Sequence, residues 1–203
     1  MSLYISSDYH LSHGNILKYC NRPFKTIEDH DKHIIKIHNE RISNDDTFIH
    51  AGDFNFRNSP GGKKGEGTTT KAKTHLEKLN GNKIMLTGNH EKNNSLKTYI
   101  ESLVIDWGGN KYFITHRPEN ANKYYPINFV AHVHQNWKFY RKRIDERYVD
   151  LINVGIDVWN YMPCKIEEIL KEYHQWTKQK IYHDGVKQEK ELKYLQSWLD
   201  IEE

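Results

Sequence analysis

The 203-residue chain predicts an α/β fold on three observations. Short apolar runs read as buried strands, helical patterns lie between the early ones, and each run ends in a polar tip. Strands alternating with helices imply a sheet with several parallel strands. In open sheets of that kind, ligands gather at the carboxyl ends of the strands.

The elements follow in order. Leu3-Tyr4-Ile5 is a strand that delivers Ser6-Ser7-Asp8. Residues 28–43 place Ile34, Ile35, His38 and Ile42 on one helical face. The run 47–51 is a strand reaching Gly52-Asp53, and 71–79 is a shorter helix. The run 83–87 reaches Gly88-Asn89-His90, 111–115 reaches His116, and 128–131 reaches His132-Val133-His134. Residues 57–70, RNSPGGKKGEGTTT, hold four glycines, a proline and no hydrophobic residue, which makes them a loop. That loop is either a solvated insertion or a basic flap (Lys63, Lys64, Lys71, Lys73) over an anionic substrate. Residues 136–150, NWKFYRKRIDERYVD, form a hairpin whose interleaved aromatics and bases suit either nucleic-acid contact or a charged outer face. After Pro163, the stripe Ile166, Ile169, Leu170, Tyr173 marks a helix, and beyond Gly185 a second one aligns Leu192, Leu195 and Leu199. The expected organisation is one catalytic-type domain over 1–164 and a helical extension over 165–203 packed on it.

Composition narrows the function. Hydrophobic residues make up 36% and aromatics 12%, enough for a core. No apolar run approaches the roughly 18 residues of a membrane span, and no secretory signal is visible, so a cytoplasmic, non-membrane protein is expected. Two cysteines, Cys20 and Cys164, cannot form a disulfide scaffold and read as small buried hydrophobes. Net charge is +3, of which residues 1–164 carry about +5, so this part favours an anionic partner. The 13 histidines are a surplus, and histidine commonly holds metal.

The strand tips bring together Asp8, His10, Asp53, Asn89, His116, His132 and His134. On an extended strand end, residues i and i+2 point the same way, so Asp8 and His10 can grip one ion. Asp53 can bridge two ions through its two oxygens, and Asn89 offers a neutral oxygen. All seven groups are nitrogen or oxygen donors. One ion takes four to six ligands, so seven with a bridge imply two ions about 3.5–4 Å apart. Imidazole and carboxylate without thiolate suit Mn²⁺, Fe or Zn²⁺, with Ni²⁺ a further candidate.

Each motif alone is weak, but the ordered series D-x-H, G-D, G-N-H-E, H, A-H-x-H resembles the calcineurin-like metallophosphoesterases over residues 4 to about 163. SDYHLSHGNILKYCNRPF and NVGIDVWNYMP look like the ends of a small bacterial and phage subgroup. Ala131 stands where the family usually has Gly and is expected to crowd the site slightly. The resemblance implies a four-layer αββα sandwich with the helical C-terminal extension. It implies Asp8, His10, Asp53 and His134 on one metal, and Asp53, Asn89, His116 and His132 on the other. His90 would be a catalytic general acid that binds no metal. The implied reaction is hydrolysis of a phosphodiester, nucleotide or cyclic-nucleotide in type, by a metal-bridging hydroxide, with two divalent ions of which Mn²⁺ is favoured. A nuclease acting on a nucleic-acid polymer, or a non-catalytic metal- or nucleic-acid-binding module, are the alternatives. His13 and Arg117 are candidate substrate contacts, His13 being equally a partner of a metal ligand or a helix cap, and Asn15 and Arg22 are similar. His30, His33, His38, His50, His75, His174 and His183 read as surface or core histidines.

Overall fold

The computed structural model describes residues 1–56, 67–91 and 96–178. Within them the strands form two sheets. In the first, β1 (Leu3–Ser6), β2 (Thr47–His50) and β3 (Asn82–Met85) run parallel, and the two-residue β9 (Cys164–Lys165) pairs antiparallel with β1. Parallel neighbours need a crossover, and α2 (Ile27–Arg41) supplies the one from β1 to β2. It follows the short α1 (Ile16–Tyr19). Thr26 starts α2 by accepting a hydrogen bond on Oγ1 from the Asp29 N–H, 3.1 Å. The shorter α3 (Ala72–Leu76) precedes β3.

The register explains why the middle of β1 and β2 is apolar on both faces. Tyr4 lies beside Phe48 and Ile5 beside Ile49, and successive side chains point to opposite faces. Tyr4 and Phe48 meet Ile34 and Ile42 of the α2 segment, whereas Ile5 and Ile49 face the second sheet. A strand buried on both sides cannot alternate polar with apolar. Phe48 is fully buried, so Phe48→Ala is expected to lose about 3–5 kcal/mol of stability in urea denaturation. A loss under about 1 kcal/mol would mean that α2 does not pack on this sheet as described.

The second sheet has the order β4-β5-β6-β8-β7, from β4 (Ser102–Trp107), β5 (Asn110–Thr115), β6 (Ile127–Val130), β7 (Phe139–Ile144) and β8 (Arg147–Asn153). β5, β6 and β8 are mutually parallel. Ile114, Phe129 and Ile152 close the core against the first sheet, joined by Ile166, Ile169 and Tyr173 of α4 (Ile166–Lys178). The protein is therefore a mixed α/β sandwich of two sheets with helices. The outer face of the second sheet, Val130, Tyr140, Val149 and Leu151, is covered by Ala121 and Trp137. The second expected C-terminal helix lies outside the described residues, as do 57–66 of the glycine loop. No helix among the described residues is long and apolar enough to cross a membrane.

Two features differ from expectation. β4 is an additional edge strand joined to β5 through Gly108 and Gly109, both at positive φ. Its half-buried alternation and the Gly-Gly turn are a hairpin signal that a search for continuous apolar runs passes over. The hairpin of β7 and β8 forms, but its basic tip at Arg147 is the start of β8. Seven residues of strand, roughly 20 Å, separate that tip from Asn153 beside the polar cluster. The tip therefore lies far from the strand ends, beyond the reach of a small ligand bound there.

Candidate metal centre

All seven candidate ligands lie just beyond strand ends, four from the first sheet and three from the second. The tips of β1 and β2 run side by side: the Asp8 N–H donates to Gly52 O at 3.1 Å and the His10 N–H to Asp53 O at 3.0 Å. Extended geometry does not aim the side chains, contrary to the i, i+2 expectation. Asp8 (φ 56°), His10 (49°), Asp53 (56°), His132 (71°) and His134 (46°) all have left-handed backbone, as does Gly52 (103°). Each non-glycine residue there costs on the order of 1 kcal/mol, and such strain concentrates at functional sites. Ala131 is fully buried and donates its N–H to His116 O at 2.8 Å, and His132 and His134 still reach the cluster.

The ligand atoms form two groups. Those of Asp8, His10 and His134 lie within 4.8 Å of one another, and so do those of Asp53, His116 and His132. Asn89 Oδ1 is 3.0 Å from His116 Nε2, which joins it to the second group. Asp53 Oδ2 lies between the groups, 3.7 Å from His10 Nε2 and 3.2 Å from His116 Nε2. Its other oxygen accepts the His90 N–H at 3.0 Å, so one oxygen, not two, faces both groups.

These residues fit a cation. Asp8 Oδ1, His10 Nε2 and Asp53 Oδ2 are buried atoms without a hydrogen-bond partner, with Asp8 Oδ1 3.8 Å from His10 Nε2. Buried polar atoms are almost always paired, and three orphans facing one space are a donor set awaiting positive charge. The imidazoles are pre-set for it. The His116 Nδ1–H donates to Ala51 O at 2.9 Å and the His134 Nδ1–H to Asp157 Oδ2 at 2.9 Å, which leaves each Nε2 for a ligand. With the His10 Nδ1–H donating to His13 Nδ1 at 3.2 Å, His10 Nε2 is free likewise.

Electrostatics agree. Burial holds His10 well below its ordinary pKa, and burial with the neighbouring His116 lowers His132 to about 3, so both are neutral bases. Burial also opposes the charged forms of His116 and His134, but carboxylates override it. Asp53 beside His116 lifts it to about 9, and the hydrogen bond to Asp157 lifts His134 well above its ordinary value. In the metal-free protein those two imidazoles carry the positive charge that the buried carboxylates demand, and a cation would replace the proton on each Nε2.

Residues that the sequence reading missed hold the site together. Glu91 Oε2 accepts the N–H of Asp53 at 3.1 Å and of Gly88 at 2.7 Å, and Oε1 that of Phe54 at 2.7 Å, clamping two strand tips. Asn153 Nδ2 donates to His134 O at 2.7 Å. A Cβ on Gly88 would collide with Asp53 Oδ1, the Asp53 backbone nitrogen and, at 2.7 Å, Glu91 Oε2. Gly88→Ala is accordingly expected to lose metal binding, read as metal content after dialysis, and an unchanged content would show that the clamp can yield. Arg22 is no substrate contact, for it is buried and ion-paired to Asp157 at 2.8 Å. The signal for Asp157 was the NVGIDVWNYMP segment.

The remaining candidates divide. His13 is buried, with its Nδ1 on His10 and its ring stacked on Phe56 at 4.3 Å. Arg117 is half-buried beside His116, and its charge helps hold His132 neutral. His90 Nε2 is 4.0 Å from Asp53 Oδ2, and its ring is 5.1 Å from that of His10, with the side chain 18% exposed. His30, His38, His50 and His75 are buried, whereas His33 and His174 are exposed, and His183 lies outside the described residues.

Behind the site, Asp31 accepts the Ser12 N–H at 2.9 Å and the His30 Nδ1–H at 2.9 Å. Burial raises its carboxyl to about 7 from 3.8, against the Ser12 bond that favours the ionised form. Between these values the unfolded chain releases the proton and the folded chain keeps it. Asp31's contribution is thus present at low pH and is lost as pH rises. Asp31→Asn removes that dependence. The stability gap between wild type and variant should shift by roughly 1 kcal/mol per pH unit between about pH 4 and 7 in urea denaturation. A gap independent of pH would show that Asp31 ionises as it does in the unfolded chain.

Comparisons with known proteins converge. A family model described as calcineurin-like phosphoesterase matches residues 1–200. An uncharacterized protein of Methanocaldococcus jannaschii is 32% identical over 178 residues, which is 83% of this chain and 89% of the relative. Among solved structures, the protein of unknown function AQ665 from Aquifex aeolicus matches with a TM-score of 0.60 at 21% identity, over 84% of this chain and 98% of that one. That last likeness is one of fold alone.

Proposed function

The chain belongs to the calcineurin-like phosphoesterase family, and from that membership we propose that it is a metal-dependent phosphodiesterase acting on a nucleotide-like diester. The observation that carries this reading is the set of orphaned buried atoms, Asp8 Oδ1, His10 Nε2 and Asp53 Oδ2, at the meeting point of two ligand groups. Asp8, His10 and His134 would hold one divalent cation, Asn89, His116 and His132 a second, and Asp53 Oδ2 would serve both. Manganese is the favoured ion for this nitrogen and oxygen set. When bound, two such ions neutralise phosphoryl charge and lower the pKa of a water, which supplies a nucleophile at neutral pH.

The chain's own residues do the rest. His90, partly exposed at the edge of the cluster, gives a proton to the leaving oxygen. Its backbone N–H on Asp53 Oδ1 keeps that carboxylate turned toward the ligands. Arg117 pairs with the single negative charge of a diester. His13 and Phe56 wall the site beside His90 and limit water there.

A substrate screen tests the proposal. Bis-p-nitrophenyl phosphate and p-nitrophenyl phosphate are offered to metal-free protein with Mn²⁺, Ni²⁺, Zn²⁺ or Mg²⁺. Metal-dependent turnover of the diester above the monoester is expected, highest with Mn²⁺. Preference for the monoester would overturn the diesterase reading, and no turnover with any metal would favour a binding module.

A further inference from the structure

We infer that Asp157, locked by Arg22, is a positioning residue that presents His134 Nε2 to one cation position and makes that position the tighter of the two. The inference rests on the two-cation reading above. The Arg22 side chain is fully buried and uses all five of its N–H groups. Nε donates to Asp157 Oδ1 at 2.8 Å and Nη2 to Asp157 Oδ2 at 2.8 Å, a bidentate grip that stops the carboxylate from turning. The second Nη2 hydrogen goes to Asp8 O at 2.8 Å, and Nη1 serves Tyr9 O at 3.1 Å and His30 Nε2 at 2.9 Å. One guanidinium therefore holds the backbone that carries Asp8 and, through Asp157 Oδ2, the ring of His134. Asn153 fixes the same residue from behind by donating to His134 O.

Among the described residues no carboxylate outside the ligand set is hydrogen-bonded to the ring of His116 or His132. His116 is oriented by a neutral partner, the Ala51 carbonyl at 2.9 Å. An imidazole that donates to a carboxylate is a stronger base toward metal than one that donates to a carbonyl, and losing such a partner typically costs 10–100-fold in metal affinity. The Asp8, His10, His134 position should therefore fill first.

Calorimetric titration of the metal-free full chain with Mn²⁺ tests this without reference to activity. Wild type is expected to bind two unequal equivalents, and His116→Ala should abolish the weaker. Asp157→Asn should weaken the tighter equivalent by roughly 10–100-fold and leave the other unchanged. Circular dichroism checks folding. If the single variant does not fold because Arg22 is left uncompensated, the double variant Arg22→Met with Asp157→Asn removes that charge and carries the same expectation. Wild-type affinities in the variant, or equal weakening of both equivalents, would overturn the inference. Wild type binding fewer than two Mn²⁺ would overturn the two-cation reading beneath it.

Discussion

Asp53→Asn is expected to strip the centre of metal and reduce turnover of an aryl phosphodiester by roughly 10³-fold or more, since it removes the charge that both proposed cation positions would share. The geometry makes this substitution more damaging than the loss of one ligand. In wild type, one Asp53 oxygen is engaged by the His90 N–H, and the other faces His10 Nε2 and His116 Nε2. In the variant the amide oxygen is the only acceptor available for the His90 N–H. The amide NH₂ is then turned toward both imidazoles and offers hydrogens where a cation needs lone pairs. Asparagine tolerates left-handed backbone, so the φ of 56° at this position is not itself a reason for failure. The measurement is metal content by elemental analysis beside steady-state kinetics. A variant that retains two equivalents and normal kcat would remove Asp53 from its shared position.

His90→Asn is expected to give the opposite pattern, with metal retained and kcat reduced by roughly 10²–10⁴-fold, the usual range for a lost general acid. The His90 side chain lies near the first group, and its ligand atom falls within 4.8 Å of those of His10 and Asp53. That proximity makes a metal role the competing account, and the variant separates the two. Its backbone N–H, which orients Asp53, is unaffected by the change, so the ligands stay in place. A substrate whose leaving group needs no proton should be spared most of the loss, whereas an alkyl leaving group should show all of it. Loss of a metal equivalent would make His90 a ligand.

The strands that lead to the site were readable because both their faces are buried, so Leu3-Tyr4-Ile5 is an unbroken apolar run and Phe48-Ile49 is the apolar centre of the run 47–51, which His50 interrupts. The ligands were readable because each follows such a run. The partition into two sheets was not readable from periodicity, since it depends on distant pairings such as β6 with β8, and came only through the family resemblance. β4 escaped because an edge strand exposes half of its residues. Arg22 and Asp157 are 135 positions apart, and neither carries a local pattern that announces the other. The left-handed backbone at the ligands was hidden for a related reason. Aspartate and histidine do not signal positive φ as glycine does, and the strain is imposed by the packed strand tips around them.

The position of the site between two sheets has a consequence for how the protein is held together. Each proposed cation would draw ligands from both sheets: Asp8 and His10 with His134, and Asp53 and Asn89 with His116 and His132. Such ions are rivets across the sandwich as well as reagents. The full ligand set exists only once the two sheets have docked, so a bound metal would oppose their separation. Each ion bound to the folded chain adds RT ln(1 + [M]/Kd) to stability, about 2.7 kcal/mol at a hundredfold excess over Kd. Metal starvation would therefore lower the resistance of the whole sandwich to unfolding, and not merely its turnover.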